Sequence, residues 1–113
     1  MDNATLKELK ERLLFLKKEI RSRIEENSKK VNIQERGDVG DYSDAIYTKD
    51  IIYDLLEKDR KRLQEVEESL YRIENGSYGK CARCGKEIEL ERMKAKPTAK
   101  YCIKCRKIVE SGL

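Results

Sequence analysis

The segment 81–105 reads CARCGKEIELERMKAKPTAKYCIKC and contains all four cysteines of the 113-residue chain. They form two C-x-x-C pairs, Cys81 with Cys84 and Cys102 with Cys105, separated by seventeen residues. No histidine is present to share in metal binding. Two C-x-x-C pairs at such a spacing are typical of a structural zinc site. We therefore predict that these four thiolates bind one structural Zn²⁺ ion in a small C-terminal finger.

The composition of the chain limits the kind of structure that can precede such a finger. Charged residues make up 42% of the chain and hydrophobic residues 38%, which is too little apolar material for a thick globular core but enough for helices that each bury one stripe. The longest uninterrupted apolar run, 13–16, is too short to span a bilayer. The start of the chain lacks the features of a secretory signal. We expect a cytoplasmic protein without a membrane partner.

Two apolar stripes precede the cysteines at the three- and four-residue spacing of α-helices. A capping box from Thr5 to Glu8 predicts that the first helix covers about 6–30. Asn75 and Gly76 predict the end of the second helix. The stripe residues are Leu6, Leu9, Leu13, Leu16 and Ile20 in the first helix and Ile52, Leu55, Leu56, Leu63, Val66, Leu70 and Ile73 in the second.

An antiparallel pairing of the two stripes places Ile24 opposite Leu55 and the chain reversal near residue 39 or 40. Gly37 and Gly40 lie at that point, as expected of a turn. Asp59 falls on the second stripe and is its one polar interruption. The pattern therefore predicts a helical hairpin.

The predicted fold class is mainly α. Residues 1–75 would form a long antiparallel α-helical hairpin, a coiled coil with an acidic tip near 37–44, and residues 76–113 the zinc-finger domain. Charge also separates along the chain: 76–113 carries ten Lys and Arg against four Glu, whereas 35–54 carries six acidic residues against two basic ones. We therefore expect a basic finger and an acidic tip.

The residues around the cysteines resemble the zinc-finger signature of the DksA/TraR family of bacterial transcription regulators. The likeness covers about 36–106 and includes the aromatic-Gly pair at 78–79 and the Arg-x-x-Ala-x-Pro run at 92–97. Extended towards the N-terminus without a gap, it aligns 38–43 with the family's Asp-x-x-Asp-x-Ala tip motif. Asp38 and Asp41 match that motif, and Ser43 stands where the family prefers alanine.

The resemblance implies a regulator that binds RNA polymerase directly and is not an enzyme. Its coiled coil would enter the secondary channel, so that Asp38, Asp41 and Ser43 at the tip approach the active centre and alter the stability of open promoter complexes. We expect the chain to act as a monomer and not to bind DNA sequence-specifically.

Family members often act with guanosine tetraphosphate, the nucleotide of the stringent response. The resemblance makes Lys96 and Arg106 candidate nucleotide-binding residues and the nucleotide a candidate co-effector. On the second helix, however, Glu65 stands where a lysine is expected. A carboxylate repels a tetraphosphate, so nucleotide dependence stays open.

Two other classes of function stay open on the sequence alone. A zinc-finger nucleic-acid-binding module fits the basic finger with Tyr78 and Tyr101 near the cysteines, although no recognition helix is evident. A transcript-cleavage factor of the GreA type also inserts a coiled coil into this channel, and Asp38 and Asp41 could hold its Mg²⁺. Such factors have a different body without a four-cysteine finger.

Overall fold

The computed structural model describes residues 1–35 and 42–112, with side-chain surroundings for 1–31 and 49–112. The described residues contain no strand, and one isolated antiparallel bridge joins Lys80 to Glu87. The predicted fold class, a mainly α chain with a helical hairpin followed by a four-cysteine finger, is confirmed. The helices are α1 (Asn3–Glu35), α2 (Tyr42–Asn75), α3 (Leu90–Ala95) and α4 (Ile103–Glu110).

Helix α1 begins at Asn3 because Asp2 caps it. The backbone N–H of Thr5 donates a hydrogen bond of 2.7 Å to Oδ1 of Asp2, which satisfies one of the free N–H groups of the first turn. Hydrogen bonds from Thr5, through its side chain and its backbone, lower the pKa of the exposed Asp2 carboxyl. The predicted helix over about 6–30, with Thr5 as its cap, is therefore too short at both ends.

Helix α2 ends where the sequence predicts, at the Asn75-Gly76 step. Gly76 has a φ of +80°, a conformation that glycine adopts without a steric penalty. The N–H groups of Ser77 and Tyr78 both donate to the carbonyl oxygen of Arg72, at 2.9 and 3.0 Å. These bonds satisfy a carbonyl of the last turn. The chain then leads directly to the first cysteine pair.

The chain divides into two compact units. The first comprises Met1–Leu16 and Glu65–Leu113, and the second comprises Lys17–Gln64. Both long helices therefore contribute to each unit. The predicted domains, 1–75 and 76–113, stay a prediction. In the described part of the chain, no helix combines the length and the apolar character needed to cross a membrane.

In the first unit, burial confirms the predicted stripe. Leu9 and Leu13 are fully buried, at 1% and 0% exposure, and Val66 of α2 is exposed to only 2%. Leu6 and Leu16 are half-buried. These apolar side chains provide the main stabilisation available to the long helices of this unit, since burial of each is favourable by about 1.5–3 kcal/mol.

In the second unit, an apolar cluster joins segments of both long helices. Val31, Ile52 and Leu56 are buried together, and Ile24 packs against them. Leu55, in contrast, is 45% exposed. The stripe passes through Leu56 because one residue rotates a helix by about 100° and turns Leu55 away from the cluster. The predicted pairing of Ile24 with Leu55 is therefore wrong.

The polar residue on the stripe has a specific partner. Asp59 is only 4% exposed, and its carboxylate accepts hydrogen bonds of 3.3 and 3.1 Å from the Arg23 guanidinium and one of 3.4 Å from Arg62. The Arg23 hydrogen bond holds the pKa of Asp59 below its ordinary value, although burial alone would raise it. The sequence shows Asp59 as an interruption but does not identify Arg23, 36 residues earlier, as its partner.

We expect Asp59→Asn to lower the free energy of unfolding at pH 7 by about 1–3 kcal/mol, because it removes the charge-assisted hydrogen bonds from Arg23 and Arg62 to a buried carboxylate. The folded-state pKa of Asp59 lies below the unfolded value of about 3.9. The pair therefore stabilises the protein above that pH, and this stabilisation is lost as the pH falls through the folded pKa. Urea unfolding followed by circular dichroism measures the effect.

The difference in the free energy of unfolding between wild type and Asp59→Asn should accordingly become smaller as the pH is lowered from 7 to about 2.5. Asp54→Asn, which changes an exposed carboxylate on the same helix, is the matched control and should change stability by less than about 0.5 kcal/mol. A difference between wild type and Asp59→Asn that stays constant with pH would contradict the role assigned to this pair.

Candidate metal centre

The first cysteine pair lies on a tight turn after α2. The N–H of Gly85 donates to the carbonyl oxygen of Cys81 at 3.0 Å, and the N–H of Cys81 donates to the carbonyl oxygen of Lys86 at 2.8 Å. Gly85 has a φ of +78°, so any side chain at this position would be strained. These two hydrogen bonds reverse the chain direction within 81–86, so Cys81 and Cys84 lie on one short loop.

The second pair lies at the start of α4. Cys102 is the N-cap of this helix, and its sulfur accepts a hydrogen bond of 3.4 Å from the backbone N–H of Cys105. A backbone hydrogen bond of 2.8 Å from Ala82 to Lys100 links the two cysteine segments. The local folds of both segments therefore bring their cysteines to one place.

The four sulfur atoms lie within 4.8 Å of one another, and those of Cys84 and Cys102 are 3.9 Å apart. A tetrahedral zinc ion with Zn–S bonds of about 2.3 Å places its ligand sulfurs ~3.8 Å apart. A disulfide would need about 2.05 Å, and all four cysteines are free. Three of them are buried, and Cys84 is exposed. The donor set and its spacing fit Zn²⁺ with no coordination position left open.

The thiols differ in their electrostatic surroundings. Burial opposes ionisation of Cys81, but backbone N–H groups of Cys102, Cys84 and Arg83 outweigh this and lower its pKa to about 6. Burial, together with hydrogen bonding to Cys102, raises the pKa of Cys105 to about 12. Thiols this close cannot all lose their protons unless a cation offsets the repulsion among the resulting charges. A divalent ion would supply that positive charge.

Apolar side chains surround the cysteines and connect them to α1. Tyr78 and Tyr101 pack against the resulting cluster. The hydroxyl of Tyr78 donates a hydrogen bond of 2.8 Å to the carbonyl oxygen of Pro97, and burial raises its pKa to about 12. Both tyrosines therefore pack within the finger. The buried members of the cluster are Leu9, Cys81, Ile88, Met93, Ala99, Cys102 and Cys105.

The sequence pattern did not show that α1 contacts the finger. Leu9 belongs to the same buried cluster as three of the cysteines. The Arg12 guanidinium donates a hydrogen bond of 2.7 Å to the carbonyl oxygen of Lys94, 82 residues later. The stripe spacing marks Leu9 as buried but cannot say against which element, and no local signal identifies Arg12.

A pocket of about 210 Å³ lies between the end of α2 and the finger. It brings together Glu65, Lys96 and Arg106, which the sequence relates only through the family resemblance. Nε of Arg106 is already 2.6 Å from Oε1 of Glu110, another lining residue. Carboxylates therefore offset part of the positive charge of this pocket.

Most of the predicted tip lies outside the part of the chain that the structure describes. Asp38 and Asp41 lie outside the described residues, as do Gly37 and Gly40. Ser43 belongs to α2, but its side chain lies outside the described part. The role of this segment stays a prediction.

Comparison with known proteins identifies the family. The sequence model of a protein family, the prokaryotic dksA/traR C4-type zinc finger, matches residues 76–110. The structure of transcription factor DksA2 from Pseudomonas aeruginosa is similar over 98% of this chain and 87% of that chain, with a TM-score of 0.85 and 30% sequence identity. The chain belongs to the DksA/TraR family.

Two curated proteins that this chain matches are longer than the chain itself. The RNA polymerase-binding transcription factor DksA of Escherichia coli K12 is 37% identical over 54 residues, which are 48% of this chain and 36% of that protein. A protein of Aquifex aeolicus is 37% identical over 94 residues, which are 83% of this chain and 61% of the relative. The chain thus spans less than two thirds of either protein.

We expect Cys102→Ser to unfold the finger while leaving much of the helical circular dichroism, because a small four-thiolate module depends on its metal whereas the long helices retain their apolar stripe. Wild-type protein purified without chelators should contain about one equivalent of zinc. Cys102→Ser should contain far less, and its remaining thiols should react faster with an alkylating reagent. Less than half an equivalent in the wild type would contradict the assignment.

Proposed function

We propose that this chain binds bacterial RNA polymerase and regulates transcription. The observation that carries the proposal is the match to Pseudomonas aeruginosa DksA2, which extends over nearly the whole of both chains. The name of the Escherichia coli relative adds that a DksA protein binds RNA polymerase. We place the regulator in the cytoplasm, as a monomer without enzymatic activity.

We further propose that Cys81, Cys84, Cys102 and Cys105 bind one structural Zn²⁺ ion. The sulfur spacing and the all-thiolate donor set support this. The ion would supply the positive charge that holds four thiolates together and would thereby stabilise the finger. Around it, Leu9 and the finger residues share one buried cluster, so the chain's own side chains exclude water from most of the site.

At the finer level, we propose that the coiled-coil tip enters the secondary channel of the polymerase. Asp38 and Asp41 would approach the active centre and alter the lifetime of open promoter complexes. The family membership supports this step, together with the excess of acidic residues over 35–54. Short carboxylates carried by long helices can reach basic or metal-containing surfaces with little loss of conformational entropy on binding.

We propose that the pocket with Lys96 and Arg106 binds guanosine tetraphosphate weakly or not at all, so that the activity of the protein depends little on this nucleotide. Its lining includes three carboxylates, those of Glu65, Glu68 and Glu110. Arg106 is paired with Glu110 at 2.6 Å, and Lys100 approaches Glu68 at 4.0 Å. A polyphosphate would have to displace these carboxylates and approach Glu65 against charge repulsion.

A pull-down with purified RNA polymerase core enzyme, beside a binding assay with duplex DNA at physiological salt, tests the main proposal. We expect retention of the polymerase and only weak, salt-sensitive binding to DNA. Tight DNA binding without polymerase binding would favour a nucleic-acid-binding finger. Stimulated cleavage of the nascent RNA in a stalled complex would instead favour a transcript-cleavage factor.

We expect the double change Asp38→Asn and Asp41→Asn to keep polymerase affinity within a few-fold but to remove the effect on open-complex lifetime. The amides keep the size of the carboxylates and their capping ability, so stability should change by less than about 1 kcal/mol. Competition binding and a promoter-lifetime assay measure the two effects separately. An unchanged lifetime effect would leave these residues as ordinary turn residues.

For Ser43, we expect alanine to strengthen the effect on open-complex lifetime. An inserted tip that leaves the Ser43 hydroxyl unpaired loses about 1–3 kcal/mol, and alanine removes that cost. The assay compares wild type and Ser43→Ala on one sensitive promoter. A weaker effect in Ser43→Ala would show that the hydroxyl finds a partner in the complex.

For the pocket, we expect Glu65→Lys to create or increase a response to guanosine tetraphosphate, because it converts a repulsive charge into an attractive one. The readout is open-complex lifetime with and without the nucleotide. Glu57→Lys makes the same charge change at an exposed position of α2 outside the pocket and serves as the control. A strong nucleotide response in wild type that Glu65→Lys does not increase would contradict the assignment of this pocket.

A further inference from the structure

A charged side chain reaches the metal centre from the first cysteine turn. Nη1 of Arg83 lies 3.8 Å from Sγ of Cys105, in hydrogen-bonding geometry. Arg83 is the residue before Cys84 in the first C-x-x-C motif, and Cys105 is the last cysteine of the second. The contact therefore joins the two halves of the site through a charge, in addition to the neutral backbone bond from Ala82 to Lys100.

A nearby positive charge stabilises a site of this kind. Four thiolates and one Zn²⁺ ion carry a net charge of about −2, and three of the four cysteines are buried. Negative charge held away from water is costly unless nearby donors or cations offset it. The finger as a whole is basic, but most lysine side chains act on the site only through solvent, where salt screens them.

The other buried sulfurs have neutral donors. Cys102 Sγ accepts a hydrogen bond from the backbone N–H of Cys105, and backbone N–H groups also point towards Cys81. Arg83 instead brings a full positive charge to Cys105. A guanidinium stays protonated at any pH at which the protein is folded, and a hydrogen bond with an ionised partner is about twice as strong as one between neutral groups.

We propose that Arg83 is a positioning residue of the zinc site, which holds the sulfur of Cys105 in its coordinating position and slows the loss of the metal. Its guanidinium offsets the excess thiolate charge at Cys105, the last of the four ligands in the sequence. Partners outside the ligand shell commonly change metal affinity by 10–100-fold. This inference rests on the zinc assignment proposed above and is independent of polymerase binding.

Release of zinc from the loaded full-length protein tests the inference. Wild type, Arg83→Gln, Arg83→Lys and Lys86→Gln are mixed with an excess of a chromogenic chelator, and the release rate is measured at about 0.1 and 0.5 M salt. Lys86 is the control because its side chain is exposed, as that of Arg83 is, whereas its contact with Cys81 is made by its backbone carbonyl oxygen. Its replacement removes the same charge from the finger without touching the contact with Cys105.

We expect Arg83→Gln to release zinc about 3–10-fold faster than wild type, Arg83→Lys to lie between the two, and Lys86→Gln to stay within about 1.5-fold of wild type. The effect of Arg83→Gln should persist at 0.5 M salt, where charges separated by more than ~4 Å are screened. Alkylation of Cys105, followed by mass spectrometry, should accelerate in parallel.

Two results would overturn the role of Arg83. One is a release rate in Arg83→Gln equal to that of wild type. The other is an equal acceleration in Lys86→Gln, which would assign the effect to the overall charge of the finger. Purification of Arg83→Gln with much less zinc than Lys86→Gln would support the role. Wild type with less than half an equivalent of zinc would instead reject the zinc assignment itself, so the two failures are distinguishable.

Discussion

The convergence of four thiol sulfurs is the constraint on which the finger depends. Two short segments, separated by seventeen residues in the sequence, must bring their sulfurs within 4.8 Å of one another. Burial and hydrogen bonding to Cys102 oppose the ionisation of Cys105 and raise its pKa, and four thiolates so close together would repel one another. A cation removes this opposition, and the module can then fold around a core that would be too small to fold alone. The turn at Gly85 and the N-cap at Cys102 are the local structures that satisfy this constraint.

The cysteine cluster also packs against the start of α1. Leu9 shares the buried cluster of the cysteines, and Arg12 donates to the carbonyl oxygen of Lys94. The start of α1 is thus part of the environment of the site. The second unit is stabilised differently, by the cluster around Val31 and by the Arg23–Asp59 pair. This pair, with a buried carboxylate and a half-exposed guanidinium, also disfavours alternative registers that would leave the carboxylate without its partner.

The sequence predicted those features that depend on local spacing. The cysteine pairs, the stripe through Leu9 and Leu13, and the helix end at Asn75-Gly76 follow from periodicity and from turn-forming residues, and the structure confirms that these residues are grouped, buried or terminal as expected. Errors occurred where two positions fit the same spacing. Leu55 and Leu56 are adjacent and equally apolar, and only packing against Ile24 and Val31 decides between them.

Interactions between distant charged residues could not be predicted at all. In the sequence, Arg23 and Arg12 look like ordinary surface residues of a helix. Their partners lie 36 and 82 residues away. Arg83 appears as one of the two variable positions of a C-x-x-C motif, where many residue types fit, and its contact with Cys105 becomes visible only when both segments are folded. Such contacts depend on the distance between side chains that are far apart in the sequence, so no local pattern indicates them.

The net charge of the finger segment is a poor guide to how strongly the folded protein attracts an anionic ligand. The finger segment has ten basic residues against four acidic ones, which by itself suggests a surface for polyanions. In the folded unit, Glu65 and Glu68 of α2 line the same pocket as Lys96 and Arg106, and Glu110 pairs with Arg106 at 2.6 Å. Arg83 is directed at a cysteine sulfur and Arg92 at the carbonyl oxygen of Tyr101. Part of the positive charge therefore has partners within the protein, and the charge left to attract a ligand is smaller than the composition implies.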